Sequence, residues 1–242
     1  MESFQELHRD DTFCFFCHPG IACFNNCCGD LNQFLTPYDI LRLKNRLKLS
    51  SQQFLEKFTE CHIGPRTGLP VVSLKMSANN GLKCPFVNRT GCTVYEDRPG
   101  SCRTYPLGRI AARKPGEKEC KESYFLIREP HCLGFSEETK WTINEWKKSQ
   151  ALETYNRMND LMMDIVGLKN RSTKVRLSEE EIDLFCMACY DLDRFKDFVF
   201  KKRLWENSCL SNDLGELELK DDMALMRFGI EWIKGRLFGN AE

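Results

Sequence analysis

The stretch FCFFCHPGIACFNNCCGD, residues 13–30, decides how the first half of this protein can fold. It contains five cysteines, and the last two of them are adjacent: Cys14, Cys17, Cys23, Cys27 and Cys28. Thiols at this density can bind a metal as thiolates, pair as disulfides or pack as small apolar groups. The Pro and Gly residues in the same stretch favour tight turns, in which sulfur atoms can converge.

The composition of the 242-residue chain is that of a globular protein without charge bias. It has 35 basic and 35 acidic side chains and 42% hydrophobic residues. Without a basic excess we expect no nucleic-acid partner, and without an apolar run of about 20 residues we expect no membrane partner. The start, MESFQELHRDDTF, lacks the pattern of an export signal, so we expect a cytoplasmic protein. In that reducing compartment a metal or redox site is a better prediction than disulfides.

The cysteines are unevenly distributed along the chain. Eleven of the fourteen lie between Cys14 and Cys132, and only Cys186, Cys189 and Cys209 follow. We therefore predict two domains: a Cys-rich metal- or cluster-binding module in residues 1–135 and a helical cover in residues 136–242 that packs on it. The predicted fold class is α+β, mainly α with a small irregular and β-hairpin portion that binds the metal.

Capping signals predict several helices. In LTPYDILRLKNRL, Thr36 suits the N-cap and Pro37 the first helical position. Capping boxes are predicted at Ser50 with Gln53, at Thr142 with Glu145 and at Ser178 with Glu181. Apolar stripes predict a helix that ends at Gly167, a helix that carries Cys189 and Leu192 on one face, and a final helix from Met223 to Leu237. Between residues 69 and 95, VVSLKM and KCPFVNRTGCTVY indicate short strands with Asn/Gly turns.

The cysteines beyond the opening stretch also lie in turn-like sequence. Cys84 and Cys92 flank a hairpin-like segment, Cys102 lies in RPGSCRTYP and Cys132 in EPHCLGF. Thiolates bind both zinc and iron–sulfur clusters, usually four to a site. Neighbouring side chains diverge on an extended or helical backbone, so Cys27 and Cys28 should not easily ligate one ion. Either each faces a different metal, or one ligates while the other packs.

At these residues the sequence resembles a known family. C-x5-C-x3-C-C followed by LTPYDILRL, CPF, GCTVYEDRPGSCRTYPLGR and EPHCLGF is similar to the YkgJ-like cysteine-cluster family of zinc- or iron-chelating proteins. The resemblance covers roughly residues 13–135 and implies eight metal ligands: Cys17, Cys23, Cys27, Cys28, Cys84, Cys92, Cys102 and Cys132. Many members begin with the more compact C-x2-C-x2-C-C, which leaves Cys14 as an alternative to Cys17 for the first ligand.

Flagellin lysine N-methylases contain a similar cysteine module, which implies an iron–sulfur cluster that works with S-adenosylmethionine. The resemblance therefore favours a [4Fe–4S] cluster as cofactor, with zinc as the alternative. The leading hypothesis is a cluster-binding or electron-transfer module. Two alternative hypotheses stay open: a cluster-dependent protein lysine N-methylase and a zinc-stabilised interaction adaptor. Whether the protein is an enzyme, and whether it has a protein partner, also stay open. No S-adenosylmethionine segment, phosphate loop or catalytic residue can be assigned.

The residues around the predicted ligands have two interpretations each. Arg98 and Arg103 could tune a cluster or form structural ion pairs with acidic neighbours. His18 and His131 adjoin predicted ligands and are expected to orient them rather than bind metal. The other cysteines are predicted to have no site role: Cys61 and Cys120 as ordinary thiols, Cys186 and Cys189 as core residues of an apolar helix face, and Cys209 as isolated.

Overall fold

The protein is described by a computed structural model that places residues 3–8, 10–78, 81–113, 120–174, 176–204 and 218–239. Its strands are β1 (Ser3–Leu7), β2 (Thr12–Cys14), β3 (Phe34–Leu35), β4 (Thr59–Ile63), β5 (Pro70–Leu74), β6 (Val87–Asn88), β7 (Gly91–Cys92), β8 (Leu107–Ala112), β9 (Lys121–Arg128) and β10 (Lys140–Thr142). Its helices are α1 (Pro37–Leu47), α2 (Ser51–Phe58), α3 (Gly100–Thr104), α4 (Ile143–Ser149), α5 (Leu152–Arg171), α6 (Glu179–Cys189), α7 (Leu192–Lys202) and α8 (Asp222–Phe238). The predicted α+β class is confirmed.

The chain forms two compact units, each built from two segments. Unit 1 comprises Met1–Asn32 and Met76–Asp160, and unit 2 comprises Gln33–Lys75 and Leu161–Glu242. This division by packing differs from the boundary near residue 135 that cysteine content suggests, and that boundary stays a prediction. None of the helices in the described parts of the chain is long and apolar enough to cross a membrane.

Unit 1 is built on small antiparallel sheets around an aromatic core. Its larger sheet has the strand order β1-β9-β8, and β10-β2 and β6-β7 form separate pairs. Phe15 lies at the centre of the core, where its ring makes edge contacts with the rings of Tyr105, Phe135 and Trp146. The backbone also approaches this ring closely, because a Cβ atom at Gly134 would lie 2.8 Å from Phe15 Cε2. This core therefore supports the turn that carries Cys132.

Unit 2 combines a three-stranded sheet, in the order β3-β5-β4, with helices. Helix α6 packs on β5 and on α7 and α8, while α2 packs on β4 and α7. The side chains of Phe54, Phe185, Phe195 and Phe228 are almost completely buried. Burial of these aromatic side chains stabilises the core of the unit.

The predicted helix starts are confirmed. Thr36, Ser50, Thr142 and Ser178 each cap a helix through a complete capping box, and Pro37 occupies the first position of α1. In the final helix, Met226, Ile230, Ile233 and Leu237 are buried as the apolar stripe predicts. The predicted strands also form, as β5 and as the hairpin of β6 and β7.

Two predicted helix ends are wrong. Helix α5 continues through Gly167 to Arg171, since a glycine within a helix weakens it by only about 1 kcal/mol, too little to end a helix supported by packing. The helix that carries Cys189 does not extend to Leu192. It ends at Cys189, and the Asp191 side chain accepts a hydrogen bond from the Arg194 N–H to begin α7.

Candidate metal centre

All eight predicted ligands lie in unit 1, on turns and short elements rather than on long helices. Cys27 and Cys28 belong to a short 3-10 helix, Asn26–Cys28, and Cys92 lies on β7. Cys102 lies in α3, and Cys132 directly precedes the 3-10 helix Leu133–Ser136. Turns of this kind bring sulfur atoms together at a small entropic cost, because few residues have to be ordered between them.

The opening cysteine run is fixed against the β6–β7 hairpin. Asn25 adopts a left-handed conformation with φ 68°, and its side-chain amide donates a hydrogen bond to the Asn88 carbonyl at 3.0 Å. Gly91 has φ +121°, and a Cβ atom there would lie 3.1 Å from Phe24 Cζ. Only glycine suits that position, which keeps Cys92 next to the opening run.

The first group of thiols consists of Cys28, Cys84, Cys92 and Cys102. The Cys84 N–H donates to the Cys28 carbonyl at 2.8 Å, and a β-bridge joins Gly29 to Lys83. The Cys28 thiol interacts electrostatically with those of Cys84 and Cys102, and the Cys84 thiol with that of Cys92 across the hairpin. Three separate stretches of chain thus deliver their thiols to one neighbourhood.

The second group consists of Cys17, Cys23, Cys27 and Cys132. The Leu133 N–H donates a hydrogen bond to Cys23 Sγ at 3.2 Å, which joins the opening run to the turn at residue 132. The Cys17 thiol interacts electrostatically with those of Cys27, Cys23 and Cys132. Cys14, the alternative first ligand, lies on β2 opposite Lys140.

The two groups meet at the adjacent cysteines. The Cys28 thiol donates a hydrogen bond to the Cys27 sulfur, which lowers the pKa of Cys27 to about 7 and raises the pKa of Cys28. Although neighbouring side chains usually diverge, these two stay in contact. The pair therefore marks the boundary between the groups, and of these two thiols Cys27 ionises first.

Backbone N–H groups point at several of the sulfur atoms. The Cys84 sulfur accepts from the N–H groups of Phe86 and Val87, and the Cys92 sulfur from that of Val94. The Cys132 sulfur accepts from the Gly134 N–H in the same way. Hydrogen bonds to sulfur favour the thiolate, which is the form that binds metal. These turns are therefore shaped to stabilise negative charge on sulfur.

Burial opposes that ionisation in the absence of a cation. It raises the pKa values of Cys84, Cys92 and Cys132, and it raises the pKa of Cys17 to about 11 although part of that side chain is exposed. The positive charge of Arg98 acts in the opposite direction on Cys17 and Cys92. Most of these thiols are thus protonated at neutral pH, and a bound metal ion would have to displace the protons.

Tyr105 adds a buried donor beside the second group. Its hydroxyl lies next to the Cys132 thiol but finds no hydrogen-bond partner of good geometry in the described structure. Burial, and after it the neighbouring thiol, raises the pKa of Tyr105, so the hydroxyl keeps its proton. A Cys132 thiolate would provide the acceptor that this hydroxyl lacks.

Two arginines hold the loop around Cys102. The Arg103 guanidinium donates to the backbone carbonyls of Glu96, Arg98 and Gln150 and lies over the Tyr155 ring. Arg98 lies over the Tyr95 ring, 4.0 Å from its centroid, and donates to the Gln150 side chain. Arg103 is therefore a structural residue of the loop, whereas the charge of Arg98 also acts on the thiols.

A comparison with protein families matches the region that contains these eight cysteines. Residues 17–133 match the family model CxxCxxCC, described as a "putative zinc- or iron-chelating domain". We refer to residues 17–133 as the CxxCxxCC domain. Metal chelation is thereby the supported function of this domain, in agreement with the resemblance seen in the sequence. Neither the curated proteins nor the solved structures contain a match to the chain.

The two histidines of the CxxCxxCC domain that adjoin cysteines contact carboxylates. His18 Nε2 lies 3.5 Å from Glu137 Oε2, and its Nδ1 accepts a hydrogen bond from the Gly20 N–H at 3.2 Å. His131 Nε2 lies 3.5 Å from Glu129 Oε2. Both rings are thus oriented by partners other than the thiols.

The CxxCxxCC domain has the donors that zinc or an iron–sulfur cluster needs, in two groups of four. As placed, however, no three Cys, His, Asp or Glu side chains among the described residues stand in a geometry that could hold a metal ion. The donor chemistry, the N–H groups that face sulfur and the unpartnered Tyr105 hydroxyl fit a thiolate centre, and metal binding requires the sulfurs in each group to draw closer.

The sequence did not relate two of the cysteines outside the set of eight predicted ligands. Cys189 is buried, as a core residue should be, but the Cys186 thiol contacts that of Cys61. Cys61 lies on β4 and Cys186 on α6, and no sequence signal relates a strand residue to a helix residue so far away. Cys209 lies outside the described residues.

Proposed function

We propose that the CxxCxxCC domain binds metal through eight cysteines arranged as two four-thiolate sites. The first site would use Cys28, Cys84, Cys92 and Cys102, and the second Cys17, Cys23, Cys27 and Cys132. The observation that carries the proposal is the convergence of turns whose N–H groups face the sulfur atoms, at Cys84, Cys92 and Cys132. Zinc and iron–sulfur clusters both accept such sulfur sets.

We further propose an iron–sulfur cluster as the bound group, with the protein acting as a cluster-binding or electron-transfer module. A cluster would supply one-electron transfer, whereas zinc would supply only structure. Arg98 contributes positive charge near Cys17 and Cys92, and Tyr105 can donate to the Cys132 thiolate. Both contributions stabilise negative charge on sulfur and would raise a cluster's reduction potential.

Anaerobic purification followed by analysis of iron, sulfide and zinc tests the identity of the group. Stoichiometric iron and sulfide with visible charge-transfer absorption support the cluster. A colourless protein with about two zinc ions, one for each set of four thiolates, would support the sites but refute the cluster. Protein without bound metal of either kind would refute both.

Cysteine variants test the grouping. Cys132→Ser and Cys92→Ser should each remove about half of the metal, because each destroys one of two four-ligand sites. The double variant of Cys17→Ser and Cys132→Ser should lose no more metal than either single variant, because both residues belong to one group. The double variant of Cys17→Ser and Cys92→Ser should lose nearly all of the metal, because it destroys both groups. Cys120→Ser is the matched control, since that thiol belongs to neither group. Equal loss in both double variants would overturn the division.

The methylase and adaptor hypotheses, and a protein partner, stay predictions. Titration of the anaerobic protein with S-adenosylmethionine tests the methylase hypothesis, which undetectable binding would exclude.

A further inference from the structure

Three cysteines that the CxxCxxCC pattern does not use come together in unit 2. Cys61 lies on β4, and Cys186 and Cys189 lie one helical turn apart on α6. Strand β4 is an edge strand, paired on one side with β5, where Cys61 stands opposite Val72. Helix α6 packs on β5, the neighbour of β4 in this sheet.

The thiols of Cys61 and Cys186 are in direct contact. The Cys186 thiol donates a hydrogen bond to the Cys61 sulfur, and the Val71 N–H donates to the same sulfur. Together these donors, which act against burial, lower the pKa of Cys61 to about 7, while the pKa of Cys186 is raised. Cys61 thus supplies a thiolate at neutral pH, and Cys186 stays a thiol beside it.

The three thiols differ in access to solvent. Cys61 is exposed, Cys186 is half-buried and Cys189 has only 2% of its surface exposed. A cleft of about 650 Å³ is lined by Ile63 of β4 and Ile182 of α6, the two elements that carry Cys61 and Cys186, and neither cysteine is part of its lining. Ile63 is two residues from Cys61 on a strand and Ile182 four residues from Cys186 on a helix, so each shares the face of its cysteine. A small reagent can therefore reach Cys61 first.

We propose that Cys61 and Cys186 form a redox-active dithiol that closes to a disulfide when a peroxide reaches Cys61. The exposed sulfur and the half-buried thiol in contact with it fit the arrangement of an attacking and a resolving cysteine. The disulfide would tie the edge strand β4 directly to α6. This role is independent of the metal sites, which lie in unit 1.

The reaction balances in two steps. The Cys61 thiolate attacks one oxygen of hydrogen peroxide; the O–O bond breaks, hydroxide leaves and takes up a proton, and Cys61 becomes a sulfenic acid. The Cys186 sulfur then attacks the Cys61 sulfur; its proton and the departing hydroxyl form water as the S–S bond forms. Overall, two thiols lose two electrons and peroxide is reduced to two water molecules. A dithiol reductant reverses the change by exchange.

Peptide mapping of the full-length protein tests the proposal. The reduced protein is treated with a small excess of hydrogen peroxide, its free thiols are blocked with N-ethylmaleimide and it is digested with trypsin. The expected product links FTECHIGPR, residues 58–66, to LSEEEIDLFCMACYDLDR, residues 177–194, with the loss of two hydrogen atoms. Fragmentation should place the bond at Cys186 rather than Cys189. Neither peptide contains a proposed metal ligand, so the result does not depend on the metal sites.

Two variants complete the test. Cys189→Ser should form the linked peptide at the wild-type level, while Cys186→Ser should abolish it and leave Cys61 to oxidise to the sulfinic acid. The proposal is overturned if peroxide leaves Cys61 as a free thiol, or if Cys61 oxidises without forming the link in the wild type. A link that forms equally well to Cys189 would also overturn it. Reduction with dithiothreitol should restore both peptides completely.

Discussion

The contact between Cys61 and Cys186 predicts an unusual pH dependence for the reactivity of Cys61. Hydrogen bonding from Cys186 lowers the pKa of Cys61 to about 7, so about half of this sulfur is thiolate at pH 7. An unperturbed cysteine, with a pKa near 8.5, is only about 3% ionised at that pH. Replacing Cys186 with alanine removes the donor and should return Cys61 towards that ordinary behaviour.

The expected change in rate is smaller than the change in ionisation, and it reverses with pH. Nucleophilicity falls with pKa with a Brønsted slope of about 0.4–0.5, so the variant thiolate is intrinsically about fivefold more reactive. At pH 7 the wild type should react about threefold faster, because it has about fifteenfold more thiolate. At pH 9, where both are mostly ionised, Cys186→Ala should react about fourfold faster.

The assay is a time course of iodoacetamide alkylation, with the labelled peptide of residues 58–66 quantified by mass spectrometry. Cys186→Ser keeps a hydroxyl donor and should retain part of the pKa shift, while Cys189→Ala should behave as the wild type. If the alkylation profile of Cys186→Ala has the same midpoint as that of the wild type, the thiol contact does not set the reactivity of Cys61.

Three further predictions concern stability, measured by urea unfolding under reducing conditions. Gly229→Ala should destabilise the protein by about 1–3 kcal/mol through overpacking, because its Cβ would lie 2.5 Å from the Ala188 carbonyl oxygen; the absence of an effect would contradict the described helix packing. Asp160→Asn should cost about 2 kcal/mol, since Arg109 donates to both carboxylate oxygens at 2.7 and 3.0 Å. Asp197→Asn, at an exposed position of α7, is the comparison and is expected to cost less. Burial raises the pKa of Glu122, but hydrogen bonds from Lys147 and Arg109 outweigh burial and hold this pKa below its usual range. A carboxylate whose pKa is lower in the folded than in the unfolded state contributes stability above the unfolded-state pKa, and this stability is lost as pH falls through the folded-state pKa. The free energy of unfolding should therefore fall less steeply between about pH 5 and pH 3 in Glu122→Gln than in the wild type. Equal slopes in the two proteins would refute this.

The helix starts could be predicted because their signals are local. In each capping box, Ser or Thr and a residue three positions later satisfy each other's N–H groups, as at Ser50 with Gln53 and Thr142 with Glu145. The ends were predicted less well, since Gly167 stays helical under the influence of tertiary packing, which no local pattern records.

The candidate site was predictable in its residues but not in its arrangement. The residue types and turn sequences, together with the family resemblance, selected the eight cysteines, and residues 17–133 match the CxxCxxCC family. The assignment of Cys28 to the neighbourhood of Cys84, and of Cys27 to that of Cys132, follows from the hairpin and from the turn at Leu133. Those contacts join segments far apart in the chain.

The sequence by itself determined the chemistry of this protein: soft thiolate donors, the turns that present them and the caps at which helices begin. These depend on residue type and on neighbours within a few positions, where sterics and hydrogen bonding are local. Only the tertiary structure decided which thiols meet. Cys27 and Cys28 are adjacent in sequence yet belong to different groups, whereas Cys61 and Cys186 are distant in sequence yet in contact. The distance between two sulfur atoms depends on how strands and helices pack, and packing is a property of the whole unit.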